Sequence, residues 1–276
     1  MKKSIYISAI IIFFYASCKK RNEGFDNLNS GIISCIGHGG MGSRTTYPMD
    51  SYESVMTCFN KKMDGSEFDL QLSKDSVLIL FHDPTLENTT NLNGEIHSLN
   101  SIEIKKGNYN EYLYINYSLC TVEDILKSIE NPKSKVLTFD CKMYGKKENP
   151  NQFYEKYTNA LIKLTTNYDI TNLVNIESDD EEFLLFLKSK QASYKLYINS
   201  RSYTDAIEIA TKNGFYGITI SSNDITKEQV KQAHDKGLRV AIWNVGTFFD
   251  NKKAIEKEPD FIQTDDVINM SKRWKK

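Results

Sequence analysis

Residues 65–90 read GSEFDLQLSKDSVLILFHDPTLENTT, with a strand-like run at 67–72 and an apolar run at 77–82, separated by a turn at Lys74-Asp75-Ser76. The first run alternates polar and apolar residues, as a strand does when successive side chains point to opposite faces. The intervening triplet has turn chemistry, so the second run is expected to fold back and pair with the first. Two strands in immediate succession interrupt a rhythm that holds elsewhere. Past Ser30 the chain alternates short β-branched or aromatic runs with longer amphipathic stretches. Strands are expected at 32–38, 67–72, 135–142, 172–178, 194–199, 217–221, 239–245 and 261–264. Helical periodicity covers 51–62, 121–130, 151–168, 179–190, 204–213, 226–236 and 252–258, with a last helix from Val267. Thr121 and Thr226 read as N-caps, and Gly214 and Gly237 sit where helices stop.

Eight strands alternating with eight helices predict a (β/α)8 TIM barrel, with an open doubly wound sheet as the alternative. Val77 to Leu119 reads as an insertion after strand two, the fold-back strand first and its body at about 83–120. No internal repeat calls for a solenoid. The 276 residues, 40% hydrophobic, 12% aromatic and 26% charged, suit one large folded domain, placed at 31–276. Thirty-five Lys and Arg against 36 Asp and Glu leave a net charge of -1, so no basic field is available for nucleic acid. The closing KRWKK reads as the end of a solvated helix.

The chain opens MKKSIYISAIIIFFYASC: two lysines, an apolar run too short for a comfortable membrane span, then small residues ahead of Cys18. Residues 1–17 are expected to be a signal peptide. The small residues before Cys18 resemble the lipobox of bacterial lipoproteins, with Tyr15 departing from its usual leucine. That reading makes Cys18 the lipidated residue, 18–30 a tether and the bacterial cell envelope the location. An ordinary secretory signal or an uncleaved anchor is the alternative. Cys35, Cys58, Cys120 and Cys141 form no CxxC or Cys/His spacing. They read as small buried thiols, any pairing left open.

In a barrel, reactive side chains come from the C-terminal ends of strands and the loops after them. His38 ends ISCIGH, Glu67 and Asp69 stand two apart in EFDLQ, and Asp140 and Lys142 stand two apart in LTFDCK. Residues two apart share a strand face, so Phe68 points away while one inward face gathers three carboxylates, a lysine and a histidine. Burying three carboxylates is costly without a cation, and oxygen ligands favour calcium or magnesium over zinc. His82 closes the run VLILFH. Two histidines beside a metal suit phosphoryl transfer, one taking a proton from the nucleophile and one giving a proton to the leaving oxygen. His97 and His234 have no such context and are expected at the surface.

The residues so assembled resemble the glycerophosphodiester phosphodiesterases, from about Ile32 to Asp266. The likeness rests on His38 in GHGG, Glu67-Phe68-Asp69, LSKDSVLILFHDPTLENTT around His82, Asp140-Cys141-Lys142, AIWNV and FIQTDD. It implies a (β/α)8 barrel with a small insertion after strand two, and metal-dependent hydrolysis of a small-molecule glycerophosphodiester to glycerol 3-phosphate and an alcohol. His38 and His82 would be the acid/base pair. Glu67, Asp69 and Asp140 would hold one divalent cation, Asp140 standing where the family has glutamate. Lys142 would neutralise phosphate charge, and Trp243 would line the pocket.

Two departures bear on substrate. Gly39 stands where the family has an arginine after the first histidine, and Arg44 is near enough in sequence to be considered as its replacement in substrate binding. Met49-Asp50-Ser51 replaces a Glu-Asn-Thr stretch, so an amide becomes an acid, expected either to cap the helix or to turn toward a ligand hydroxyl. The alternatives are a phospholipase C- or D-like barrel acting on intact lipids, and a lipid-anchored binding protein without catalysis.

Overall fold

The computed structural model describes residue 28 and residues 32–110, 117–147 and 149–273. The expected signal peptide, Cys18, the tether apart from Leu28, and the last three residues of KRWKK lie outside the described residues. Nine strands are seen: β1 (Ser34–Gly37), β2 (Gly65–Leu72), β3 (Leu78–Leu80), β4 (Val136–Cys141), β5 (Asn175–Ser178), β6 (Lys195–Asn199), β7 (Gly217–Ser221), β8 (Arg239–Val245) and β9 (Phe261–Thr264). The sheet runs β1-β9-β8-β7-β6-β5-β4-β2-β3, and β1 also pairs with β2. That last pairing, with Ile36 opposite Gly65 and Gly37 opposite Ser66, closes eight parallel strands into a barrel and excludes the open sheet. Strand β3 pairs antiparallel with β2, Leu70 opposite Leu80 and Leu72 opposite Leu78, as the turn chemistry predicts.

The helices are α1 (Tyr52–Asn60), α2 (Ser101–Ile104), α3 (Val122–Ser128), α4 (Pro150–Asn167), α5 (Glu181–Lys190), α6 (Tyr203–Asn213), α7 (Lys227–Asp235), α8 (Phe248–Glu256) and α9 (Val267–Arg273). All but α2, which belongs to the insertion, follow a barrel strand. Thr121 and Thr226 cap α3 and α7 through reciprocal side-chain bonds with Asp124 and Gln229. Gly214 and Gly237 take positive φ just past α6 and α7. Helix α8 starts four residues earlier than periodicity suggests, because the Thr247 hydroxyl accepts from Asp250 N–H and fixes the first turn.

Alternation divides the core. Leu137, Phe139 and Cys141 face the helices, where Phe68 and Phe139 pack with ring centroids 5.8 Å apart. Ile36, Val136, Tyr197, Ala241 and Phe261 form a separate apolar cluster. The insertion has its own small core, with Ile79, Phe81, Leu86, Ile96, Ile104 and Tyr109 among its buried residues. Cys35, Cys58, Cys120 and Cys141 are buried and unpaired, and burial pushes the Cys58 thiol up to about 12.

Two histidines depart from the surface expectation. His234 is half-buried with Nε2 2.7 Å from Asp260 Oδ2, which also accepts from Val240 N–H. His97, also half-buried, pairs with Glu95 at 3.1 Å and meets the Phe153 ring edge-on. Asp260 and Phe153 are both distant in sequence from the histidine they meet, whereas Glu95 is two residues from His97.

Candidate active site

Strand register builds the acidic centre. Asp69 on β2 lies opposite Asp140 on β4, and Asp140 lies opposite Glu177 on β5. Side chains two apart share a face, so Glu67, one inward position below Asp69, joins them. One carboxylate oxygen from each of Glu67, Asp69 and Asp140 lies within 4.8 Å of the others. Lys142, two residues past Asp140, sends Nζ to Asp69 Oδ1 at 2.9 Å and to Asp140 Oδ2 at 2.7 Å. One lysine for three buried acids leaves the cluster short of positive charge. Burial and the neighbouring acids push the Glu67 carboxyl well above its usual range. Burial acts the same way on Asp69, but Lys142 and the two histidines outweigh it and hold that carboxyl at about 2.

Two oxygens in the cluster, Glu67 Oε1 and Asp69 Oδ2, are buried and have no hydrogen-bond partner among the described residues. A buried acceptor left unpaired is costly, and a cation that such oxygens can ligate removes the cost. The donor set is carboxylate only, which fits a hard divalent ion such as calcium or magnesium. The residues present fit the metal that the sequence implies.

Each histidine is tied through Nδ1. His38, just past β1, places Nδ1 3.1 Å from Asp265 Oδ1, just past β9. Burial disfavours the imidazolium, yet the hydrogen bond and charge of Asp265, with Asp69 behind it, raise the His38 pKa above its usual 6.5. His82 places Nδ1 2.8 Å from Asp83 Oδ1 and is the more exposed of the two. With Nδ1 donating to a carboxylate, each ring keeps Nε2 for chemistry.

His38, Glu67, His82, Asp140, Lys142 and Trp243 line one cavity of about 670 Å³. Trp243 reaches it from an irregularity in β8, where the pairing to β9 shifts between Ile242 and Val245 and Asn244 takes φ 61°. The structure does not bring Arg44 to this group. Arg44 lines a neighbouring cleft with Gly246, Thr247 and Asp266. Gly39 has no room for the arginine that the family carries: a Cβ there would lie 2.9 Å from Met49 Cβ, at φ +53°. The Gly39 N–H instead donates to Glu67 Oε2 at 2.9 Å, fixing that carboxylate.

Sequence reasoning missed the partners. Asp265 and Asp83 orient the histidines, and Glu177 extends the acidic level, its carboxylate accepting from Gln263 Nε2 at 2.8 and 3.0 Å. Asp50 is not a helix cap, because the Ser51 hydroxyl caps α1 by accepting from Ser54 N–H. Asp50 takes φ 62° and accepts from the Asp69 N–H through Oδ1 at 3.1 Å, while Oδ2 is buried and unpaired. The FIQTDD and FHDP stretches carried signals for Asp265 and Asp83; for Asp50 the signal was the exchange of amide for acid.

Known proteins resemble the chain in both sequence and fold. The sequence profile of the glycerophosphoryl diester phosphodiesterase family matches residues 40–269. A glycerophosphodiester phosphodiesterase of Caldanaerobacter subterraneus is 25% identical over 241 residues, covering 80% of this chain and 93% of its own. Solved structures share the fold. A phosphodiesterase of Oleispira antarctica in complex with its product sn-glycerol-3-phosphate has a TM-score of 0.76 at 18% identity, with 89% of this chain and 98% of that one covered. A glycerophosphodiester phosphodiesterase of Parabacteroides distasonis has a TM-score of 0.72 at 19% identity, with 87% and 96% covered. A profile match over residues 40–269, nearly the length of the barrel, means that the chain belongs to the glycerophosphoryl diester phosphodiesterase family.

Proposed function

We propose that the protein hydrolyses small glycerophosphodiesters to glycerol 3-phosphate and an alcohol, using the His38 and His82 pair and one divalent cation held by Glu67, Asp69 and Asp140. The observation that carries this reading is the acidic triad with two unpaired buried oxygens, flanked in one cavity by His38 and His82. When bound, the ion neutralises the carboxylates and polarises a phosphoryl oxygen.

The chain's own residues do the rest. Lys142, 17% exposed at the cavity wall, presents positive charge to the phosphoryl oxygens as negative charge grows on them. One histidine takes the proton of the attacking oxygen at Nε2 as the new O–P bond forms; the other delivers a proton from Nε2 to the alcohol oxygen as its P–O bond breaks. Asp265 and Asp83 hold the rings for that exchange. Trp243 contributes an aromatic wall against which substrate packs. The attacking oxygen belongs to water or to the glycerol's neighbouring hydroxyl. In the second case a cyclic phosphate appears and is visible by phosphorus NMR.

The test is release of sn-glycerol 3-phosphate from a panel of deacylated glycerophosphodiesters, with calcium, magnesium or chelator. Metal-dependent release is expected. Turnover of lipid vesicles with silence on the deacylated panel contradicts the reading and favours a phospholipase.

We also propose that Cys18 is lipidated after removal of residues 1–17 and tethers the barrel to a membrane of the cell envelope, on the strength of the apolar run and the small residues before Cys18. A Cys18→Ser chain that still incorporates labelled fatty acid and stays in the membrane fraction contradicts it.

A further inference from the structure

The loop that follows Lys142 is held from two sides. Its short 3-10 turn, Tyr144–Lys146, packs against the insertion and against α4. Gly145 marks the contact: a Cβ there would lie 2.5 Å from Phe153 Cε2 and 2.8 Å from His97 Cγ, so glycine lets the backbone approach both rings. Those rings meet edge-on with centroids 6.5 Å apart, and Phe153 meets Tyr157 in turn at 5.9 Å. Tyr157 is fully buried, and its hydroxyl donates to Leu70 O on β2. His97 thus stands at the end of a row of rings that leads into the barrel wall. Its neighbour Ile96 is fully buried in the core of the insertion, which fixes the histidine from the other side.

Glu95 faces the same group, with Oε2 3.1 Å from His97 Nδ1 and Oε1 3.3 Å from Lys147 Nζ. Lys147 is 75% exposed, and an ion pair that open to water contributes little, so ring packing carries the contact. On its far side the loop is tied to the start of α5. Lys146 Nζ lies 2.6 Å from Asp180 Oδ2, which also accepts from the Tyr154 hydroxyl. Between these ties, Met143, Tyr144 and Lys146 line the large cavity together with His38 and His82. We propose that His97 is a positioning residue: its ring braces residues 143–147, so that this wall of the cavity is already in place when substrate enters.

The inference rests on the proposed hydrolysis, because the braced wall matters only if the cavity takes the phosphodiester. The proton-transfer groups lie on other elements, His38 after β1 and His82 after β3, and Lys142 is fixed by Asp69 and Asp140. Loss of the brace therefore leaves the chemical step in place. Substrate binding must then order the loop as well, and affinity falls by that cost. The signature is a rise in KM with little change in kcat. A merely structural role would lower stability and move neither KM nor access to the loop.

The experiment has two arms, both on the folded protein with divalent ion. His97→Ala removes the ring, His97→Phe keeps a ring without the Glu95 contact, and Gly145→Ala pushes the same surfaces apart. The His97 side chain is 37% exposed, so its variants stand if Gly145→Ala fails to fold. In the first arm, kcat and KM are measured on the panel of deacylated glycerophosphodiesters. KM is expected to rise fivefold or more in His97→Ala and Gly145→Ala with kcat within threefold, and to return to within twofold of the parent in His97→Phe. In the second arm, trypsin cleavage after Lys146 or Lys147 is followed by mass spectrometry, since cleavage reports local opening of the loop. Cleavage at least tenfold faster in His97→Ala, and near the parental rate in His97→Phe, is expected. Parental KM in His97→Ala, or a KM raised as far in His97→Phe, overturns the proposal. A parent that turns over no member of the panel overturns the hydrolase instead. The brace is then decided by trypsin: the expected pattern sustains it, and parental cleavage of His97→Ala overturns it.

Discussion

His38 Nδ1 lies 3.1 Å from Asp265 Oδ1, a side-chain bond that adds to the His38 N–H to Thr264 O backbone bond and ties the ends of the first and last barrel strands together at the rim of the candidate site. Asp265 also accepts from the Ser43 N–H through the same oxygen, which places it independently of the histidine.

Asp265→Asn tests that bond through pH. Asp265 raises the His38 pKa above 6.5, against the effect of burial, so His38 keeps its proton to a higher pH than an ordinary histidine. The asparagine removes both the charge and the bond. The limb of the pH–rate profile controlled by His38 is expected to move toward lower pH, and kcat to fall tenfold or more through loss of ring orientation. A profile that keeps its position while kcat falls assigns Asp265 a packing role only.

Lys142→Met removes the one ammonium between Asp69 and Asp140. Breaking a buried pair leaves uncompensated charge, which costs about 3–5 kcal/mol. The variant is expected to lose roughly 6–20 °C in Tm in chelator, on the scaling for a domain of this size. Divalent ion should recover much of that loss, since it supplies charge at the same carboxylates. A variant with parental Tm in chelator contradicts the claim that the lysine compensates the cluster.

Glu67→Gln tests the metal cradle by stability rather than turnover. Glu67 has a folded pKa raised above 4.5, mainly by burial and then by Asp69. A carboxyl raised on folding favours the folded state fully only below its unfolded pKa, so the chelated parent should lose stability as pH rises above about 4.5 toward neutrality. Asp69, at about 2, has the opposite sign but acts below that window. Calcium or magnesium should raise the parental Tm, and more so at pH 8 than at pH 5. Glu67→Gln should be at least as stable as the parent in chelator and should lose most of the metal response. An unchanged metal response places the ion elsewhere.

Cys35, Cys58, Cys120 and Cys141 are all buried, with thiols pushed up chiefly by burial. A thiol reagent at pH 8 should leave all four unmodified in the folded protein and titrate them after denaturation. Rapid modification of any of the four in the native state contradicts the placement of that residue.

The barrel was legible because its signals are local. Strands 217–221, 239–245 and 261–264 occur where alternation and β-branching place them, and β3 folds back where the Ser73–Val77 turn chemistry predicts. The start of β2 at Gly65 was not legible, because its cause is across the sheet: a Cβ there would lie 1.7 Å from Val136 O. The site divides in the same way. Glu67, Asp69, Asp140 and Lys142 follow from period two on a strand. The motifs flagged Asp265 and Asp50, but where their side chains lie is set by closure of β1 against β9 and by the fold of the loop after His38, which residue spacing does not encode. Arg44 shows the converse, near His38 in sequence but lining a different cleft.

The central claim is that His38 and His82 move the protons of a metal-assisted phosphodiester hydrolysis. The most direct measurement is single-turnover release of sn-glycerol 3-phosphate by the parent, His38→Ala and His82→Ala, each with divalent ion and with chelator, with circular dichroism confirming the fold. Positioned proton transfer contributes about 10²–10⁴-fold, so each variant should lose at least a hundredfold, and chelator should silence the parent. Variants within tenfold of the parent, or a parent indifferent to chelator, contradict the account.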